Sequence, residues 1–144
     1  MKKTLVFSFM LSIMFIVSCK KEEEVVANET KFGASLKGSE EVPAVTTNAT
    51  GTFDATYNKD TKILSYTINY TGITPTAWHI HKGAVGSTGS VIFDFGRTFT
   101  SPFMASTVAL TTDQETDLMN GMYYVNIHSA KSPSGEIRGQ LLKK

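Results

Sequence analysis

Ala77-Trp78-His79-Ile80-His81-Lys82-Gly83-Ala84-Val85-Gly86 is the stretch from which the fold is read. It has the pattern of a β-strand that runs into a glycine turn. Side chains alternate between the faces of a strand, so Trp78 and Ile80 share one face and His79 and His81 share the other. The apolar pair asks for a core, which turns the imidazoles away from it. Two residues along a strand separate Cα atoms by roughly 6.5–7 Å. From that distance two imidazoles can lean onto one ion, at nitrogen–metal bonds of about 2.0–2.1 Å. The chain has three histidines in all. The third, His128, ends a second strand-like run, Tyr123-Tyr124-Val125-Asn126-Ile127-His128. If the two strands are neighbours, the three imidazoles meet. Two readings stand at this point: a three-histidine metal site, or a structural polar cluster in which the rings bond to backbone and water.

The sequence around this stretch also reads as strands. Phe32 to Leu36 alternates weakly, and Thr50 to Tyr57 is rich in β-branched and aromatic residues. Ile63 to Tyr70 places Leu64, Tyr66, Ile68 and Tyr70 on one face, and Asn58-Lys59-Asp60 between these two runs has turn chemistry, so together they predict a hairpin. Thr71-Gly72-Ile73-Thr74-Pro75 breaks the pattern before the histidine strand. Further strands are expected at Gly89–Phe95, Thr107–Leu110 and Gly135–Leu141. In the last of these, Ile137 and Leu141 face inward and Glu136, Arg138 and Gln140 face the other way. One helix is expected over Asp113–Asn120, capped by Thr112 with Glu115 as its capping-box partner and stopped by Gly121. It spans about two turns and connects strands rather than forming a layer. Short strands, frequent glycine and little helix give an all-β sandwich or barrel.

The beginning of the chain indicates where it works. Lys2 and Lys3 precede an apolar run from Leu5 to Val17, shorter than the about 20 residues of a membrane span. Ile16-Val17-Ser18-Cys19 resembles a bacterial lipobox, so residues 1–18 read as a lipoprotein signal peptide and Cys19 as the lipidated residue. Cys19 is the single cysteine, which excludes an internal disulfide. Residues 19–30, with Lys20-Lys21-Glu22-Glu23-Glu24, read as a solvated tether, and residues 31–144 as one small domain. The tether is similar to the acidic stretches of surface-exposed lipoproteins in some Gram-negative bacteria. The expected location is therefore the bacterial outer membrane or cell surface, with the membrane contacted through the lipid on Cys19. Loss of Lys2 and Lys3 with the signal peptide changes the formal charge from +1 to −1. That balance, without a basic stripe, argues against a nucleic-acid partner.

Several pieces then occur in a specific order: Glu40-Glu41-Val42-Pro43, Thr50-Gly51, His79-Ile80-His81 with Gly83 and Gly86, Gly121-Met122-Tyr123-Tyr124-Val125-Asn126-Ile127-His128, and Gly135-Glu136-Ile137-Arg138-Gly139-Gln140. In this the chain resembles the CHRD domain, named after chordin and also found alone in bacterial secreted proteins. The resemblance covers about Lys31 to Leu142. In animal chordin these domains belong to an extracellular protein that binds growth factors of the bone-morphogenetic class; the family name does not fix what the isolated bacterial domains do, and a binding module with a protein or glycan partner is one of two expectations. A more distant similarity links His79-x-His81 and its glycine turn to the copper-ligand strand of copper–zinc superoxide dismutases. It implies a Greek-key barrel and makes His79, His81 and His128 counterparts of copper ligands. The chain has no further histidines for zinc and no cysteine pair, which argues against bimetallic dismutase chemistry.

A mononuclear site of His79, His81 and His128 remains chemically sensible, with copper as the favoured ion by affinity order and zinc as the alternative. Asn126, Glu136 and Arg138 are the candidates for orienting the imidazoles from behind, Asn126 by a hydrogen bond to His128 and Glu136 with Arg138 as an ion pair beside it. Met104, Met119 and Met122 read as core rather than as thioether ligands. The glycine-rich loop Gly83–Gly89 reads as a plain turn, because a phosphate cradle needs a helix after it. No serine–histidine–acid order, phosphate loop or carboxylate pair is visible. The sequence thus favours an envelope-tethered binding module over an enzyme, with a mononuclear copper-binding or redox protein as the alternative.

Overall fold

The computed structural model describes residues 28–144. The signal segment 1–18, Cys19 and the tether as far as residue 27 lie outside the described residues. The strands are β1 (Glu29–Lys37), β2 (Thr50–Asn58), β3 (Ile63–Thr71), β4 (Pro75–Lys82), β5 (Val91–Asp94), β6 (Phe103–Ser106), β7 (Tyr123–Ser129), β8 (Ile137–Gln140) and β9 (Leu142–Lys143). One α-helix, α1 (Thr112–Met119), and one 3₁₀ turn, Gly38–Glu40, complete the elements. No helix among the described residues is long and apolar enough to cross a membrane.

The β2–β3 hairpin forms as its pattern predicts. Asn58 Oδ1 accepts from the backbone N–H groups of Asp60 and Thr61, each at 3.0 Å, and this closes the turn. β1 pairs with β2 along its whole length, from Glu29↔Asn58 to Lys37↔Thr50. All strands belong to one antiparallel sheet with the order β5-β4-β7-β8-β1-β2-β3-β6, and β9 is an extra partner of β1. The sheet curls into a half-barrel, so that its two halves face each other. Phe32, Leu36, Phe53, Tyr57, Leu64 and Ile68 come from the β1-β2-β3 half, and Trp78, Ile80, Val125, Ile127 and Ile137 from the β4-β7-β8 half; all join one buried core. Trp78 is fully buried, against Phe95, Phe99, Phe103 and Tyr70, and its indole N–H donates to the Gly96 carbonyl at 3.1 Å.

The structure corrects three local expectations. The short strand is Phe103–Ser106, not Thr107–Leu110. Phe103 and Ala105 pack against the core, whereas the ladder to β3 ends at Thr107, which bonds Leu64 through both its backbone and its hydroxyl. Met104, on the other face of β6, is an exposed side chain and not part of the core. The helix is capped by Thr111 with Gln114, not by Thr112 with Glu115. Thr111 Oγ1 accepts from Gln114 N, and the Gln114 side chain accepts from Thr111 N. The chemistry is the predicted box, one residue earlier.

The covering of the outer face of β7 decides where the site sits. Antiparallel sheets usually keep one face wet. In β7 every residue from Tyr123 to Ser129 is buried. The outward faces of β7 and β8 carry Tyr124, Asn126, His128 and Arg138, with Glu136 just before β8, all of them buried. Loops roof them: the chain after the 3₁₀ turn brings Thr47 onto Glu136, the loop after β4 brings Ser87 onto Arg138, and the loop after β7 brings Pro133 onto His128. The fold therefore has a polar second layer on the back of its apolar core.

Candidate metal centre

β4 and β7 are neighbours, and their register pairs Ala77↔His128, His79↔Asn126 and His81↔Tyr124. His128 thus lies diagonal to His79, a separation that aromatic side chains bridge. The methyl group of Ala77, directly across from His128, leaves the imidazole room to lean toward β4. The His79 and His128 ring centroids are 4.9 Å apart, those of His79 and His81 are 5.5 Å apart, and those of His81 and His128 are 6.2 Å apart. One nitrogen from each ring lies within 4.8 Å of those of the other two. Three ligands on one ion, with bonds of about 2.0–2.1 Å, lie roughly 3.3–3.6 Å from one another. An inward shift of about 1–1.5 Å at most would bring the triad to that geometry.

Backbone carbonyls settle which nitrogens are offered. His128 Nδ1 lies 2.9 Å from the Pro133 carbonyl, and His81 Nδ1 lies 3.0 Å from the Gly89 carbonyl. A carbonyl only accepts, so each Nδ1 carries the hydrogen and each Nε2 presents a lone pair. The same arrangement fixes metal-binding imidazoles generally. His81 Nε2 is buried without a hydrogen-bond partner, an orphaned acceptor that a metal ion would satisfy. His128 Nε2 faces His79 Nδ1 at 3.0 Å. Since His128 Nε2 is the acceptor there, His79 Nδ1 is the donor. Burial pushes the pKa values of His79 and His128 below the usual histidine range; the neighbouring imidazoles add to this, and Asp94 opposes it at His79. Neutral rings are what a metal needs.

The surrounding side chains hold these rings in place. The Tyr124 ring stacks on His81 at 4.9 Å and 5°, and its hydroxyl accepts from Gly89 N–H at 3.2 Å. The Arg138 guanidinium lies 3.4 Å from the Tyr124 ring centroid and donates to the Ser87 carbonyl at 2.7 Å. The strand order β4-β7-β8 places Tyr124 between His81 and Arg138. Gly89 passes so close to Lys82 that a Cβ there would overlap the Lys82 carbonyl oxygen. The loop that reads as a plain turn thus forms a wall of the site. At the mouth, His79 pairs with Asp94 across β4 and β5, beside a bulge after Ile80, and Arg97 donates to the Thr76 carbonyl at 2.7 Å.

Of the expected supporting residues, Arg138 acts through Tyr124, and the other two make no hydrogen bond to the histidines. Glu136 makes no ion pair with Arg138. Its carboxylate accepts from Thr47 at 2.7 Å and from the Ser129 hydroxyl, and these two bonds hold its pKa below the usual range. Asn126 is on the His128 face, yet its side chain lies by Glu41 and Gly135, and Oδ1 has no partner. Glu41 is the buried acid near Arg138. Desolvation raises its pKa to about 7, outweighing the lowering by Arg138, by its backbone bond at Val42 and by the Asn126 amide. Asp94, Tyr124, Gly89 and Glu41 have no place in the sequence-based site. Asp94 had a signal, as the one acid inside the apolar run Val91-Ile92-Phe93-Asp94-Phe95. The others become legible only once the register is known.

A family model described as the CHRD domain matches residues 32–141. No curated protein matches the chain.

Proposed function

The chain belongs to the CHRD domain family, and from that membership we propose that it is an extracytoplasmic binding module whose ligand is a transition-metal ion held by His79, His81 and His128. The observation that carries this reading is the buried, unpartnered Nε2 of His81, in a triad where carbonyls tie down the opposite nitrogens of His81 and His128. An unmet buried acceptor costs about 1–3 kcal/mol, and an ion bound at this nitrogen would offset that cost. Imidazole ligands suit copper, zinc, iron and nickel, and affinity order puts copper first, with zinc as the alternative. We further infer that residues 1–18 direct export and that a lipid on Cys19 holds the module at the bacterial outer membrane or cell surface. The charged stretch Lys20–Glu24 supports a tether. Binding or storage of the ion by the three imidazoles requires no catalytic step.

The test is a titration of the untagged chain from Cys19 onward, in detergent, with copper and with zinc separately. One ion bound per chain, with affinity lowered about 100-fold or more in each of His79→Ala, His81→Ala and His128→Ala, is the expected result. If no ion binds and the variants lose only stability, the cluster is structural. The search then moves to a protein or glycan partner.

A further inference from the structure

Asp94 stands at the mouth of the triad and has no assigned role. It is half-exposed, directly across the β4–β5 ladder from His79, with Oδ2 at 3.9 Å from His79 Nε2. It is not a wandering surface carboxylate. Its Oδ1 accepts from Gly96 N–H at 2.8 Å, and the Gly96 carbonyl in turn receives the Trp78 indole N–H. The core thereby fixes the direction in which Oδ2 points. We propose that Asp94 is the positioning residue of the metal centre: it accepts the hydrogen of His79 Nε2 when the ion is bound, and so selects Nδ1 of His79 as the ligand atom. The inference rests on the metal reading above.

Without metal, His79 Nδ1 carries the hydrogen and donates it to His128 Nε2. Its Nε2 is then a lone pair, which makes no bond to a carboxylate, and the 3.9 Å gap to Asp94 is the separation of two acceptors. Were His128 Nε2 given to an ion, this hydrogen bond would be lost and His79 Nδ1, 3.0 Å away, would be the adjacent nitrogen. To bind there, the ring loses its hydrogen from Nδ1 and gains one at Nε2, exchanged through water at the exposed mouth. No net proton is released from a neutral ring. The new N–H points toward Asp94 Oδ2, and a carboxylate acceptor on the far nitrogen raises the basicity of the ligating one. His81 and His128 already have their acceptors, the carbonyls of Gly89 and Pro133. Asp94 supplies the third, and it is the only one of the three acceptors that is a side chain.

Imidazole nitrogen NMR on the full untagged chain from Cys19, with zinc as the diamagnetic ion, reads the tautomer directly. The expected result is a hydrogen on Nδ1 of His79 in the free chain and on Nε2 in the zinc-loaded chain. Asp94→Asn and Asp94→Ala are expected to lower zinc affinity by 10- to 100-fold with unchanged circular dichroism. Asp94→Glu is expected to restore part of it. In Asp94→Asn the Gly96 N–H keeps the amide oxygen, so an NH₂ group faces His79 and favours the wrong tautomer. Zinc held by Nε2 of His79, or Asp94 variants that bind like the wild type, overturns the assignment while leaving the metal site in place. Absence of zinc binding to the wild type overturns both.

Discussion

At the scale of the residue, the arrangement of the three imidazoles depends on groups outside the triad. Gly89 offers its carbonyl to His81 and its N–H to Tyr124 while passing close against Lys82. Gly89→Ala must push the loop away from β4, at a cost of ~2 kcal/mol by the measure of an overpacked site. It should also free the His81 ring to turn. Thermal unfolding should show the destabilisation, and zinc titration a weaker site. An unchanged affinity would mean that Tyr124 stacking alone orients His81. The three histidines were legible in the sequence because strand alternation puts two of them on one face and no others exist to compete. Glu136 and Arg138 were legible as residues of one face, but the ion pair expected between them does not form and each has other partners. Which side chain meets which across a roof of loops depends on contacts between segments far apart in the chain, such as Thr47 with Glu136.

At the scale of the element, β2, β3 and β4 were readable because each has one apolar face and clear turn chemistry at its ends. β6 was misplaced by four residues at its start. It is a four-residue edge strand with neighbours of similar composition, and tertiary pairing with β3 chooses its register. The helix cap was missed by one residue because Thr111 and Thr112 are adjacent and Gln114 and Glu115 both complete a capping box. β7 reads from its sequence as apolar on one face and polar on the other. Its burial on both faces comes from elsewhere, from the loops after β1, β4 and β7. Periodicity predicts which side chains share a face, not whether a loop will cover it.

At the scale of the whole molecule, two sets of groups on the polar side of the sheet respond to pH in opposite directions. Glu41 has its pKa raised from 4.5 to about 7, so the folded chain keeps a proton that the unfolded chain has released. Its contribution is complete below pH 4.5 and is lost as pH rises to about 7. His79 and His128 have pKa values lowered from 6.5, so the unfolded chain binds protons that the folded chain refuses. Their contribution is complete above pH 6.5 and is lost as pH falls through and below it. Urea denaturation of the metal-free chain between about pH 5 and about pH 8 should therefore vary little, as the two slopes oppose. Glu41→Gln removes one of them, and its stability should climb with pH across that range. Parallel profiles for wild type and variant would show that Glu41 does not titrate in this window.

The burial of Trp78 has an optical consequence. It is the only tryptophan, and it occupies the strand position next to His79 with its ring on the apolar side of the sheet. Light emitted by the protein under indole excitation thus originates one residue from the histidines, from a ring shielded from water and clamped by Gly96. A paramagnetic copper(II) ion on the other side of that strand should quench the emission, whereas zinc, with its filled d shell, should leave the intensity nearly intact. The chain carries its own fluorimeter for the ion it is proposed to hold, without a label and without a tag.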